Sequence, residues 1–584
     1  LMSACATSGS SGGKEKLTPG TYTAKASGFQ TEAYDVRVVV AEDKILDITW
    51  DGLMDSPYLG QAAVPLLKDR ILAAQTSGVD GISGATITST GFKAAVTAAL
   101  EQAGARASSV YTQTPRAPSR TGETQTVDVL VIGGGAAGFS AAVEAKAANQ
   151  AATVTLIEKR DLVGGSTITS AGIVYAALDA GDVPVMKDYY LHRAQGYADE
   201  TLLQYFAEHS RENLDFLGAD NFIPLGPAGT ANEPRANMIM NPPAGLIQGA
   251  GMIQILQDKA RAAGVTVETG VRAVELLKNG EGAVVQVRAE SKTKNITFKV
   301  KKGVVIATGG FDSDREGLMK EHNPDSMYDI PRSSHGNVGE GIKMGVAAGA
   351  ATVFKGGKIG WAIIDPAVDV DVMDGFRIVD KTGILISLDP PAAGTAPDGT
   401  SLKAVSYARD PRTDTQDYPP MFSGIQKART DARDKTFWYI FNETQAPPSS
   451  LTSADLYTKE WLISHGYARE FDSVAELAAW TKTDPAKLSA SFNERYPGAV
   501  KFGAAKVQPS SIGSMGGLKI NVKGEVQKAG GGSIPGLYAA GETANGDFYY
   551  KEYPASGSSL SLAIVYGRAA GGNAATAPDH ALLP

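Results

Sequence analysis

The sequence predicts a multi-domain α/β protein: a doubly wound, Rossmann-like sheet interrupted by an inserted α+β unit and preceded by a small α+β unit. Three observations carry this. The chain has 584 residues, too many for one hydrophobic core. It holds 66 glycines against only 7% aromatic residues, a balance that suits backbone closely approached by ligands. Apolar strands run into glycine turns at both ends of a long region, in "VDVLVIGGG", "GVVIATGGF" and "GLYAAGE", as in a sheet whose chain leaves and later returns.

In chain order, residues 1–16 read as a tether. Leu1 is not an initiator Met, and Met2-Ser3-Ala4-Cys5 resembles a bacterial lipobox. That resemblance implies a lipid anchor at Cys5 and a place on the extracytoplasmic face of the cell membrane, with the Ser/Gly run as a leash. A chance cysteine in a leader is the other reading. No later segment offers the ~20 apolar residues of a membrane span. Residues 17–106 form the small unit. "TYTAKASG" and "YDVRVVVAEDKILDITW" alternate like antiparallel strands, with "AEDK" as a turn. "YLGQAAVPLLKDRILAAQ" reads as helical stretches broken at Pro65, and "TGFKAAVTAALEQAGA" as a helix from near Thr90 to Gly104. Between them lies "DGISGATITST" (80–90), small and hydroxylic throughout. Residues 107–124 have linker composition.

Residues 125–357 open the large unit, residues 358–505 are the excursion, where Trp, Pro and charged residues rise, and residues 506–584 return to the sheet. The opening segment supplies a buried strand at 127–132, a glycine turn, an Ala-rich helix and a strand at 153–157 that ends on Glu158. Gly133-x-Gly135-x-x-Gly138 would be a weak signal alone in so glycine-rich a chain. In this setting every part has a physical role, with a tight turn at Gly133, backbone close to a pyrophosphate at Gly135, close helix packing at Gly138, and a carboxylate for a ribose at Glu158. A dinucleotide site follows.

Composition narrows the chemistry. A formal charge of −8 with no basic stripe argues against a nucleic-acid partner. Cys5 is the one cysteine, so an internal disulfide, cysteine-ligated zinc and C-x-x-C-H haem attachment are ruled out. The six histidines show no ligand spacing. No metal site is expected, and any electron carrier here is organic.

"LVGGSTITSAGIVYAA" (162–177), "ATGGFDSD", "NVGEGIKMGVAAGA" (337–350) and "IPGLYAAGETANGDF" closely resemble the FAD-binding segments of the fumarate reductase flavoprotein family, which also holds urocanate reductases and ketosteroid dehydrogenases. The resemblance spans about residues 125–584, weakly in the excursion. It implies non-covalent FAD, with Gly164, Gly165, Ser166, Thr167, Ala171 and Gly172 along the pyrophosphate and flavin ring and Gly541-Glu542 near the ribityl chain. Ala137, Lys159, Gly309, Ser558 and Leu560 also fall in its cofactor-binding segments. The excursion then corresponds to a mobile capping domain that closes over substrate.

"DGISGATITS" looks like the flavinylation motif of small FMN-binding domains in sodium-pumping quinone reductases and extracellular flavoproteins. The resemblance implies FMN held by a phosphoester on Thr86, placed there by a separate transferase. Read without it, the run is a Ser/Thr-rich turn capping the helix near Thr90.

The family resemblance also implies that FAD N5 gives hydride to one alkene carbon while a positioned acid protonates the other. "DGTSLKAVSYARD" (398–410) resembles the segment ending in the family's catalytic Arg, here Arg409; an exposed Arg beside Asp410 is the plain alternative. Other family site residues are missing: a relay Glu and a second Arg fall on Phe376 and Val379, a His on Asp365, "GSMGG" (513–517) lacks the carboxylate-binding His that usually comes before M-G-G, and a clamp Arg falls at or beside Pro554. A dianion would find too few partners there to offset its desolvation. "YPASGSSLSLAIVYGR" (553–568) instead resembles ketosteroid dehydrogenases, which implies Tyr553 and the Gly557 N–H as an oxyanion hole for an enolate; a packed aromatic before a Pro turn is the other reading of Tyr553. Tyr549, Tyr550 and Tyr175 are candidate wall residues.

The sequence thus reads as a lipid-anchored, extracytoplasmic ene-reductase taking electrons from a membrane donor through FMN on Thr86 and FAD to a small unsaturated carbonyl substrate, with Arg409, Tyr553 and Gly557 at the reacting centre. Two rivals stand beside it. One is a reductase of an unsaturated monocarboxylate such as urocanate or an aryl acrylate, with Arg377 as the clamp; the other is a surface electron-transfer flavoprotein with no organic substrate.

Overall fold

A computed structural model describes the chain outside residues 1–15, 29–32, 54, 56–58, 107–118, 225–234, 243–245, 247, 328, 365–367, 371–377, 380–393, 396–400, 403–436, 444–458, 465, 551–552 and 556. It forms two compact units, Leu1–Arg120 with Arg160–Leu162, and Thr121–Lys159 with Val163–Pro584.

In the first unit β1 (Gly20–Ala26), β2 (Tyr34–Val40) and β3 (Ile45–Asp51) form an antiparallel sheet in that order. Alternation puts Tyr34, Val36, Val38 and Val40 inward, and the 41–44 turn closes with Ala41 N–H donating to the Lys44 carbonyl at 2.9 Å. Two helices, α1 (Gly60–Ala74) and α2 (Thr86–Gln102), cover this face with Val64, Leu67, Ile71, Phe92, Val96 and Leu100. Pro65 does not break α1. It sits on the exposed side, where the Gln61 carbonyl that loses its partner can be hydrated. The second helix starts at Thr86 rather than near Thr90, so the end of the hydroxylic run is its first turn. β-Branched residues lowered its apparent helicity, but buried Thr88, Ser89 and Phe92 fix it by packing.

The second unit is built on a sheet whose path runs Arg272–Lys278, Val284–Glu290, Lys294–Ile306, β4 (Thr121–Ile132), β5 (Val154–Glu158), Thr266–Thr269. β4 is parallel to β5 and to Lys294–Ile306, whose end also pairs in parallel with Ser533–Ala539. The strand that returns late in sequence therefore lies beside the early ones. β4 begins four residues inside the segment that reads as linker, because its polar first half, exposed on alternate residues, pairs with Lys294–Thr297. Helix α3 (Ala136–Ala148) follows β4 and packs on the terminal helix, Ser558–Thr576. A Cβ at Gly567 or Gly571 would lie 2.5 Å from the Ala137 carbonyl oxygen or 2.0 Å from that of Ala141, so only glycine lets these backbones approach so closely.

A second sheet runs Val368–Val370, Lys358–Ile364, Phe502–Ser514, Phe437–Phe441, Ile378–Val379. Trp438, Ile440, Leu477, Leu488, Phe492 and Tyr496 form its core. Ile330–Pro331 also pairs with Phe502–Ser514, so this sheet joins residues on both sides of the excursion. A third, small sheet pairs β6 (Ile173–Ala177) with Arg235–Met240. Among the described residues no helix is long and apolar enough to cross a membrane.

Candidate functional site

The turn after β4 is shaped by its glycines. Gly133 has φ +112, and a Cβ there would meet the Ala307 carbonyl oxygen at 2.2 Å; one at Gly138 would meet the Gly133 carbonyl oxygen at 1.9 Å. Gly135, the residue before α3, differs, because its nearest neighbours would stand 3.8 Å from a Cβ. That open backbone at a helix N-terminus suits a pyrophosphate. The loop at 164–167 lies against it: Gly164 N–H donates to the Gly134 carbonyl at 2.8 Å, and Thr167 Oγ1 accepts from Ala136 N–H at 3.2 Å. Glu158 is buried, and its Oε2 accepts from Gly134 N–H at 2.9 Å. Gly541 comes down on Ala137 with φ +73. Glycine space, an open helix end and a carboxylate at the strand tip fit FAD. Lys159 is committed elsewhere, donating to the Gly336 carbonyl at 2.7 Å and to Glu340 at 2.6 Å. Ala171 is half-buried beside Gly172, whose φ is +61.

Beside this cradle lies a cluster that sequence reasoning missed. Asn337 Nδ2 donates to Ser166 Oγ at 3.0 Å and to Glu542 Oε2 at 3.3 Å. Asp312 accepts from Ser333 Oγ at 2.5 Å, with Asn337 and Ser511 close beside it. Backbone N–H groups of Gly310 and Ser514 donate to Glu542. Desolvation pushes the Asp312 carboxyl up to about 6, and Glu542 rises well above the carboxylate range from burial and the neighbouring Asp312 charge. Gly309 and Gly310 have no room for side chains, since a Cβ would come within 2.4 Å of Asn337 Oδ1 and 2.1 Å of Ser514 Oγ. Asp312 stands in the quoted "ATGGFDSD", but nothing local marks it as a partner of Glu542.

At the start of the terminal helix, Gly557 is the N-cap in the left-handed region with φ +85. Half-buried Tyr553 folds back so that its Oη accepts from Ser559 N–H at 2.7 Å. Tyr553 and Gly557 thus meet at one helix end, although its N–H donor to Tyr553 is Ser559. Ser558 Oγ lies 2.5 Å from Tyr190 Oη, and Leu560 is half-buried. Buried Tyr549 sets its ring edge-on to Tyr553 at 5.8 Å, whereas Tyr550 stacks on Tyr197 at 4.3 Å and Tyr175 packs against Tyr190. Burial pushes the Tyr553 hydroxyl up to about 12, opposed by its bonds from Ser559 and Ser558 and assisted by the charge of Glu542. Gly513 lies two residues before Met515, and a Cβ there would meet Glu542 Oε1 at 2.7 Å, so a side chain at this position would have to displace the Glu542 carboxyl. Lys355, a cation in this neighbourhood, is paired with Asp547 at 3.4 Å and is lowered by burial.

In the first unit Thr86 is exposed at the first position of α2, which has no side-chain cap. The neighbouring hydroxyls are engaged: Thr88 donates to buried Asp55 at 2.6 Å, Ser89 Oγ accepts from Ile82 N–H at 3.0 Å, and Thr90 donates to the Thr86 carbonyl at 2.9 Å. A Thr90 cap is therefore not what this run provides. Cys5, Asp365, Phe376, Arg377 and Arg409 lie outside the described residues, and the side chain of Val379 is not described.

Comparison with known proteins finds a flavin-binding domain family in each unit. Residues 128–364 and 411–560 match the FAD binding domain family, and residues 31–101 match the FMN-binding domain family. The chain is 27% identical over 588 aligned positions to a urocanate reductase of Eggerthella lenta, covering 95% of this chain and 92% of that protein. It is 28% identical to a cytochrome-type fumarate reductase of Shewanella frigidimarina, covering 77% of each. In fold it resembles a 3-ketosteroid delta1-dehydrogenase from Sterolibacterium denitrificans, with TM-score 0.62 at 17% identity, over 77% of this chain and 99% of that one. The chain belongs to the FAD-binding flavoprotein family of fumarate and urocanate reductases, flavin-dependent enzymes acting on C=C bonds, and carries an FMN-binding domain ahead of its FAD-binding domain.

Proposed function

We propose that this flavoenzyme is a lipid-anchored, extracytoplasmic reductase of α,β-unsaturated carbonyl compounds, drawing electrons from a membrane donor through FMN on Thr86. The observation that carries the substrate reading is Tyr553 at the N-terminus of the 558–576 helix. A hydroxyl oxygen that accepts from Ser559 N–H turns its own proton toward another acceptor, as a donor to a substrate carbonyl must. With Gly557 as the N-cap, the helix end favours the negative charge that develops on that oxygen. Bound FAD supplies the hydride. Tyr553 polarises the carbonyl, and Arg409 or Tyr553 supplies the proton, so the C=C bond gains one hydride and one proton.

Thr86 is favoured as the FMN site because it is the exposed hydroxyl at an uncapped helix N-terminus, where a phosphoester gains from backbone N–H groups. Ile87 beside it is 54% exposed and offers apolar surface to a flavin ring. A separate transferase makes this bond, and Cys5 carries the anchor.

The test is a substrate panel with a reduced viologen dye as donor, comparing a conjugated enone, urocanate and fumarate. Enone reduction with little fumarate reduction is the expected result; fumarate as the best acceptor overturns the reading. The similarity to urocanate reductase along 95% of the chain favours a second reading, an unsaturated monocarboxylate, and the urocanate arm decides it.

A further inference from the structure

We propose that Arg160 is the phosphate-binding cation of the FMN site, its guanidinium laid across Gly84 to hold the phosphoester on Thr86. This rests on the reading of Thr86 as the attachment residue, and it names the protein group that answers the charge of the attached ester.

The segment Arg160–Leu162 belongs to the first unit although it is distant in sequence from the rest of it. Each of its residues serves that unit differently. Leu162 packs against the core. Asp161 holds the hydroxylic loop, its Oδ2 accepting from Ser83 N–H at 3.0 Å and its Oδ1 from Arg70 Nη2 at 2.6 Å. Arg70 also donates to the carbonyls of Asp80 and Gly81, at 3.3 Å and 3.0 Å. Arg160 takes another course. A Cβ on Gly84 would lie 1.6 Å from Arg160 Nη2 and 2.5 Å from its Cζ, so the guanidinium fills the space that a side chain there would need. Gly84 also has φ +101, and only glycine meets both demands.

Thr86 follows Gly84 by two residues, a span of at most about 7 Å. It is exposed, and the helix it begins has no side-chain cap. A phosphodiester on its hydroxyl keeps a negative charge, and the helix end offers only partial charges to meet it. A guanidinium adds a full charge and a planar fork of N–H donors that matches a pair of phosphate oxygens. Arg160 also interacts within the protein, and its fork has donors enough to serve that partner and a phosphate together. Arg70 is committed to Asp161 and to the loop carbonyls, which makes it a strap for the loop. In "SGAT" the glycine therefore does more than turn the chain, because it admits the cation beside the threonine.

The experiment uses the full chain produced together with a flavin transferase, in native form and as Arg160→Gln, Arg160→Lys and Arg70→Gln. Flavin fluorescence in a denaturing gel gives the FMN content of each. Phosphorus NMR reads the phosphodiester resonance, which stands apart from the pyrophosphate pair of FAD, in folded protein and after unfolding in urea. Expected is a native resonance displaced from its unfolded position. That displacement should be largely lost in Arg160→Gln, partly kept in Arg160→Lys, which retains charge without the fork, and largely kept in Arg70→Gln, which loosens the same loop but leaves Arg160 in place. A displacement unchanged in Arg160→Gln, or lost equally in Arg70→Gln, overturns the proposal while Thr86 stays the attachment residue. Absence of covalent FMN from the native chain is a different result, which removes the Thr86 reading and this inference with it. Should Arg160→Gln take up no FMN, a crystal structure of the FMN-loaded native chain decides: an Arg160 nitrogen in hydrogen-bond reach of a phosphate oxygen upholds the proposal, and every such distance beyond ~3.5 Å overturns it.

Discussion

Tyr553 shows what a single hydroxyl can be asked to do. Its oxygen accepts from Ser559 N–H, so Tyr553→Phe removes that bond together with the proposed donor to substrate, while the glycine cradle around the cofactor turn stays in place. Turnover with the best panel substrate should fall ~10²–10³-fold with FAD content unchanged; steady-state rates and the flavin absorbance of the purified variant check it. The two threonines of the first unit separate as sharply. Thr86→Ala should abolish covalent FMN, read as loss of flavin fluorescence in a denaturing gel, without lowering the melting temperature. Thr88→Ala should keep the flavin but lower stability by about 1–3 kcal/mol, because it removes the hydroxyl that donates to buried Asp55. The site was legible at this scale wherever residues act within one short segment. Gly133, Gly135, Gly138 and Glu158 announce a cofactor by their spacing together with the strand, helix and second strand that the same short segment spells out. Asp312 and Glu542 do not, because only the fold brings a loop after one strand against the loop after another.

Among the elements, the terminal helix has the narrowest tolerance. Its Gly567 and Gly571 admit the carbonyls of Ala137 and Ala141 on α3, whose first turn is the cofactor turn. Gly571→Ala puts a methyl group 2.0 Å from a backbone oxygen, so the helices must part, at a cost of about 1–3 kcal/mol. Weaker FAD retention should accompany the lower melting temperature, measured by thermal scans with and without added FAD. Strand and helix types were largely readable from apolar runs and glycine punctuation, but their edges were not. β4 starts at Thr121 because Lys294–Thr297 pairs with residues whose composition resembles a linker, and α2 starts at Thr86 because tertiary burial outweighs weak helix propensity.

For the whole molecule, two groups of acids set opposing pH limits. Asp128, Glu212 and Glu340 are lowered, chiefly by hydrogen bonds and cations that outweigh their burial. The stability they contribute is present above the unfolded value of about 4 and is lost as pH falls. Asp312 runs the other way. Its raised value means that stability is fully present below the unfolded value and is lost as pH rises through about 6. Melting temperature should therefore decline on both sides of a mildly acidic optimum, and Asp312→Asn should remove part of the alkaline decline while leaving the acid limb intact. Thermal melts across that range test both limbs.

The order of strands in the sheet bears on biogenesis. Ser533–Ala539 lies next to Lys294–Ile306, and the helix after it supplies the Tyr553 hydrogen bond and the cover for α3. The ribosome delivers these pieces long after the strands they pack against. A nascent chain can shape its glycine turn early, yet it cannot close around nucleotide until residues 533–576 have emerged, so fragments released before that point should emerge without bound FAD and be degraded as unfinished protein.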